Sequence, residues 1–188
     1  MRIGILGSTR GTHLHTLATS LPKDLGVVIS NKADAGILSI AKMYQIPGIF
    51  LNAEGLTREG FDQKISEELL RFRIEFIVLI GFMRILSSRF VRDWPNKIIN
   101  VHPSLLPAFS GKMDLSVHRA VLDAGVKQTG CTVHFVTEEV DAGPILLQKK
   151  CDVLPFDTPE SLKARVQKLE AEALIEAISS QWNRSGHP

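Results

Sequence analysis

Residues 74–80 read Ile-Glu-Phe-Ile-Val-Leu-Ile, apolar at every position but Glu75. A strand with one face in water alternates polar and apolar residues, because successive side chains point to opposite sides. A run without that alternation is covered on both faces, as happens when helices flank a parallel sheet. The segments around it keep a matching rhythm. Strands expected at residues 2–6, 27–30 and 48–51 alternate with helices expected at 12–20, 35–44 and 57–72, the last with Phe61, Ile65, Leu69 and Phe72 on its buried face. The first half is therefore an open doubly wound α/β unit. In such sheets, ligands sit beyond the carboxyl ends of the strands.

Those ends carry the informative residues. After the first strand comes Gly7-Ser8-Thr9-Arg10-Gly11-Thr12, small and polar, followed directly by a helix. Strand, glycine loop, helix is a layout that aims free backbone N–H groups at an anion, and it also serves as a plain tight turn. Arg10 adds charge there, and Arg58 opens the third helix, where a cation opposes the helix dipole unless an anion is nearby. His13 and His15 invite a metal reading, but they have no Cys or acidic neighbour to complete a ligand set. Gly81-Phe82-Met83-Arg84 follows the apolar fourth strand. In the fifth, Ile98-Ile99-Asn100-Val101-His102-Pro103, the amide of Asn100 and the imidazole of His102 project to the same side, roughly 6.6 Å apart. Pro103 ends that strand by withholding an N–H. The three segments are expected to converge at one sheet edge.

Beyond it, residues 132–136 and 145–149 read as strands flanking Asp141-Ala142-Gly143-Pro144, so the sheet is mostly parallel with a mixed C-terminal part. His134 lies in the first of these and reads as a satisfied sheet histidine. His118 heads a helix reaching Ala124. Asp157-Thr158-Pro159 opens a final helix with a cap and a first-turn proline. Its packing stripe is Leu162, Val166, Leu169 and Ala173, with Gln167 and Glu170 on a neighbouring face, where a carboxylate is ordinarily solvated. A short frayed tail is expected from Asn183.

Composition narrows the class further. At 188 residues, 44% hydrophobic and 22% charged, the chain fits one soluble globular domain. A net charge of +2 without a basic stripe argues against nucleic acid. Isolated Cys131 and Cys151 read as reduced thiols. No apolar run is long enough to span a membrane, and the amino terminus enters a strand without a signal-peptide layout, so a cytoplasmic protein is expected.

The run Asn100-Val101-His102-Pro103-Ser104-Leu105-Leu106-Pro107, preceded by Gly81-Phe82-Met83-Arg84-Ile85-Leu86, resembles the glycinamide ribonucleotide formyltransferase family. Ser30-Asn31-Lys32-Ala33-Asp34 and the segment from Val133 to Pro144 are also similar, so the likeness covers nearly the whole chain in the right order. It implies a Rossmann-like formyltransferase fold. The implied reaction is transfer of the formyl group of 10-formyltetrahydrofolate, as co-substrate, to the amine of glycinamide ribonucleotide in purine synthesis. The resemblance carries the catalytic roles onto Asn100, His102 and Asp141, and the substrate amine onto Glu170. Phosphate contacts fall on Gly11, Thr12, His13 and Arg58. Folate contacts fall on Met83, Arg84, Ile85, Leu86, Val136, Thr137, Val140 and Asp141. No metal is implied. Both partners are small molecules, with neither nucleic acid nor membrane, in a monomer or homodimer. Residues of about 1–97 would form the phosphate-binding half and about 98–188 the catalytic and folate-binding half of a single domain.

The residue types suit that chemistry. An amine attacking a formyl carbonyl puts negative charge on oxygen, to which the Asn100 amide and His102 can donate, while Asp141 orients His102. Two departures stand out. The family commonly reads Gly-Asn-Gly-Ser-Asn-Leu where this chain has Thr9-Arg10-Gly11-Thr12-His13-Leu14, and residues 111–118 run about two residues longer than in some members. The alternatives are another folate formyl enzyme, of the methionyl-tRNA formyltransferase or formyltetrahydrofolate deformylase type, and a non-catalytic nucleotide-binding module. The first two carry a further domain for which 188 residues leave no room; the third needs no Asn100, His102 and Asp141 set.

Overall fold

The computed structural model describes residues 1–184. Two compact units divide the chain between Asn100 and Val101. In the first, β1 (Ile3–Gly7), β2 (Leu25–Ser30), β3 (Gly48–Phe50), β4 (Phe76–Ile80) and the start of β5 (Ile98–His102) lie in the order β3-β2-β1-β4-β5, every pairing parallel. The crossovers are α1 (Thr12–Ser20), α2 (Gly36–Met43), α3 (Arg58–Arg71) and α4 (Ser88–Asp93). All residues of β1, β2 and β4 are buried. That is the doubly covered parallel sheet which the unalternating fourth strand demands.

The second unit holds α5 (Leu115–Asp123), β6 (Gln128–Phe135), β7 (Ile145–Asp152) and α6 (Pro159–Arg184). β6 and β7 are antiparallel, and α6 packs on both and on α5. The α/β class with a mixed C-terminal part is the one expected. Helix starts agree with their capping chemistry. Thr57 accepts from the Gly60 N–H ahead of α3, Ser87 from Phe90 ahead of α4, and Thr158 from Ser161 at the head of α6.

Two packing expectations are corrected. Phe72 is the C-cap of α3 and only half-buried, with the Arg71 guanidinium 4.8 Å above its ring. On α6, Leu169 is half-buried and Glu170 is the buried residue, 6% exposed. The stripe from Leu162 through Val166 continues at a four-residue step, and that step lands on Glu170. Residues 185–188 of the expected tail lie outside the described residues, whereas the backbone of Asn183 and Arg184 belongs to α6.

Candidate active site

In the first unit, β1, β4 and β5 end side by side: Gly7 pairs with Ile80, and Leu79 with Asn100. The loops after β1 and β4 are tied by Ser8. Its hydroxyl donates to Asn31 Oδ1 at 2.6 Å and accepts from the Met83 N–H at 2.9 Å, and its own N–H donates to the Gly81 carbonyl. The expected meeting of the first loop with the segment after β4 is therefore observed, with the Ser30–Asp34 motif joined to it through Asn31. Gly11 sits at φ 72°, ψ 34°, as the N-cap of α1. A Cβ there would overlap Ile37 of α2, so glycine is required by packing as well as by backbone conformation. Thr12 and Arg10 are exposed, His13 is buried, and Arg58 is exposed at the first position of α3. His15 turns outward, its ring 2.8 Å from the Tyr44 hydroxyl.

Two residues of α3 hold the loop between β4 and α4: Phe61, expected on the buried face, and Asp62, which sequence reasoning passed over. The Arg84 guanidinium stacks 4.6 Å from the Phe61 ring, and buried Asp62 accepts from the Ser87 N–H at 2.6 Å. An acidic residue in register with the Ile65 and Leu69 stripe was the available signal. Met83 and Ile85 present apolar side chains outward, while Leu86 turns into the core.

The second unit builds the pair on which the chemistry depends. β5 delivers His102 at its last residue, 4% exposed. The connection from β6 to β7 delivers Asp141. That excursion is pinched by the Phe135 N–H donating to the Pro144 carbonyl, and a Cβ on Gly143 would land on the Phe135 carbonyl oxygen. Between these points Asp141 adopts φ 56°, a left-handed conformation in which Asp is among the better-tolerated residues. Its Oδ2 lies 3.3 Å from His102 Nδ1 and accepts from the Gly111 N–H at 2.8 Å. His102 Nε2 lies 3.2 Å from the Phe109 carbonyl. Each ring nitrogen thus faces an acceptor.

His134 stands on the far side of Asp141, its Nε2 3.7 Å from Oδ1 and its Nδ1 2.9 Å from its own neighbour's carbonyl, Phe135 O. Burial pushes its imidazole below the usual range. It therefore borders the Asp141 carboxylate besides being a satisfied sheet histidine. Glu170 and His118 are both buried, and burial also lowers the His118 imidazole, partly opposed by the Glu170 charge. In the longer segment, Asp114 is the N-cap of α5 and forms an ion pair with Lys163 of α6. Val136 and Thr137 are half-buried and Val140 is exposed. Among the described residues, no three His, Cys, Asp or Glu side chains converge as a metal-ligand set, and no helix is long and apolar enough to cross a membrane.

The comparisons say to which class of protein this parallel α/β fold and its carboxylate-held histidine belong. The sequence profile of the formyl transferase family matches residues 1–178, and the chain belongs to that family. It is 38% identical over 191 residues to the phosphoribosylglycinamide formyltransferase of Haemophilus influenzae, covering 98% of this chain and 88% of that protein. It is 44% identical over 183 residues to the trifunctional purine biosynthetic protein adenosine-3 of Bos taurus, of whose length it spans 18%. The crystal structure of glycinamide ribonucleotide transformylase 1 from Symbiobacterium toebii superposes with a TM-score of 0.90 at 39% identity, over 95% of this chain and 85% of that one.

Proposed function

We propose that the chain transfers the formyl group of 10-formyltetrahydrofolate to the amine of glycinamide ribonucleotide, giving formylglycinamide ribonucleotide and tetrahydrofolate. The observation that carries this is the His102–Asp141 pair at 3.3 Å, with Asn100 two residues earlier on the same strand. The amine nitrogen attacks the formyl carbon, and the carbonyl oxygen takes up negative charge. His102 Nε2–H is the donor available to that oxygen, because Nδ1 faces Asp141. Asn100, on the same side of β5 by strand alternation, is the second donor. Asp141 holds the ring and stabilises its positive charge. Collapse of the intermediate breaks the bond to the folate nitrogen, which gains a proton as the amine loses one.

In this reading the first half, about residues 1–97, holds the ribonucleotide phosphate and the second half carries the catalytic pair. Backbone N–H groups of Gly11, Thr12 and His13 at the start of α1 chiefly take the phosphate, with the Thr12 hydroxyl assisting. Arg58 adds charge. Glu170, buried on α6, binds the glycinamide amine, the role that the family resemblance gives it. The folate contacts in this reading are Met83 and Ile85 through their exposed side chains, Arg84 and Leu86 through backbone, and Val136, Thr137, Val140 and Asp141. No metal takes part, and the protein works as a cytoplasmic monomer or homodimer on small molecules.

The test is a spectroscopic formyl-transfer assay offering glycinamide ribonucleotide and methionyl-tRNA in parallel. Turnover with the ribonucleotide alone is expected. Turnover only with the tRNA, hydrolysis of the donor without an acceptor, or no reaction would each replace this reading with one of its alternatives.

A further inference from the structure

The backbone of residues 109–111 lies across the His102–Asp141 pair and satisfies both members. The Phe109 carbonyl accepts from His102 Nε2 at 3.2 Å, and the Gly111 N–H donates to Asp141 Oδ2 at 2.8 Å. Phe109 holds this position at φ 62°, in the left-handed region that a bulky residue avoids. The segment before it is clamped. Thr132 Oγ1 donates to the Ser104 carbonyl at 2.7 Å and accepts from the Leu106 N–H at 3.0 Å. Gln148 Nε2 donates to the Leu106 carbonyl at 3.0 Å, and Ser104 Oγ to the Ala108 carbonyl at 2.6 Å. Residues 104–108 are thus fixed, and the next carbonyl is aimed at the ring.

That carbonyl occupies the same N–H that the proposed reaction needs. With Nδ1 facing Asp141, Nε2 is the atom left to reach a reacting oxygen, and one N–H does not serve two acceptors at full strength. We infer that residues 109–111 form a strap which donor binding displaces. Without ligand, the Phe109 carbonyl holds the His102 Nε2 proton; with the formyl donor bound, the formyl oxygen takes its place and Phe109 leaves its left-handed conformation. The inference rests on the formyl-transfer reading. Its consequence is thermodynamic: the donor's apparent affinity is reduced by the fraction of molecules with the strap closed. It also makes the formyl oxygen, rather than the rest of the folate, the group that opens the site.

Phe109→Ile and Phe109→Leu form the test pair. The two side chains are isomers of equal volume, but branching at Cβ makes the left-handed conformation harder for isoleucine. A formyl-folate analogue that cannot transfer its formyl group is expected to bind the Ile variant about threefold or more tighter than the Leu variant, whereas tetrahydrofolate binds both alike. Equal affinities for the analogue, weaker binding by the Ile variant, or the same ratio with tetrahydrofolate would overturn the strap. Wild-type protein supplies a second measurement that needs no variant to fold. In carbonyl-labelled NMR, the Phe109 ¹³C′ and His102 Nε2 resonances shift together on saturation with the analogue. If the analogue binds and Phe109 ¹³C′ stays in place, the strap is wrong and formyl transfer stands. If the wild type binds neither folate, formyl transfer itself fails and takes the strap with it.

Discussion

Replacing Asp141 by Asn separates the charge of this residue from its shape. Asp141 Oδ2 and His102 Nδ1 are 3.3 Å apart, and both side chains are more than nine-tenths covered. Opposite unit charges at that distance attract by about 5 kcal/mol at an effective dielectric constant of ~20. Desolvation of the pair offsets part of this, and a charge-assisted hydrogen bond contributes about 1.5–3 kcal/mol net. Leaving the imidazolium buried without its charged partner costs about 3–5 kcal/mol, which corresponds to roughly 10²–10⁴ in kcat. The fold should not notice. The Asn carbonyl can still accept from Gly111 N–H, now 2.8 Å from Oδ2. Its NH₂ can donate to His134 Nε2, since the Nδ1–H of that ring is directed at Phe135 O. Asp141→Asn should therefore lower kcat in the formyl-transfer assay by about 10²–10⁴ while moving KM for either substrate little. The thermal midpoint should stay within about 2 °C. A kcat within tenfold of wild type would refute the role given to the carboxylate, and a large fall in thermal midpoint would show that Asp141 is chiefly structural.

Glu170→Ala should raise KM for glycinamide ribonucleotide much more than it lowers kcat, because a group that meets the amine end contributes mainly to binding; steady-state kinetics with varied ribonucleotide decides it. Asp62→Ala strands the buried Ser87 N–H and should cost about 1–3 kcal/mol, read by denaturant unfolding. Burial holds the imidazoles of His118 and His134 below their ordinary value of 6.5, so below about pH 6.5 the unfolded chain binds protons that the folded one does not. Their contribution to stability is complete above that pH and is eroded as pH falls. Thermal unfolding from pH 8 to pH 5 should show the decline, and His118→Gln should flatten it; an equally steep decline in that variant would count against the assignment. Gly11→Val is a poor probe of the phosphate site, since its side chain would collide with Ile37. Thr12→Ala and Arg58→Ala are the better pair, each expected to raise KM for the ribonucleotide, with a salt-sensitive effect at Arg58.

Features set by local chemistry were determined by the sequence alone. The unalternating run at residues 74–80 required a doubly covered parallel sheet. Thr57 and the Thr158–Pro159 pair marked helix starts, and a strand ending His102-Pro103 put Asn100 and His102 on one side. These depend on alternation, capping and the missing proline N–H, which act over a few residues. Tertiary structure decided the rest. Nothing near Asp141 in sequence specifies that its carboxylate meets His102 from 39 residues away, because that contact depends on the pinch between Phe135 and Pro144. Glu170 read as a solvated helix carboxylate and Asp62 drew no reading at all, yet each occupies a buried stripe. A stripe's edges are set by what packs against the helix, and the helical period does not supply that. The Phe109 carbonyl on His102 was invisible for the same reason: a backbone carbonyl has no residue type to announce it, and only the folded path of residues 104–111 aims it at the ring.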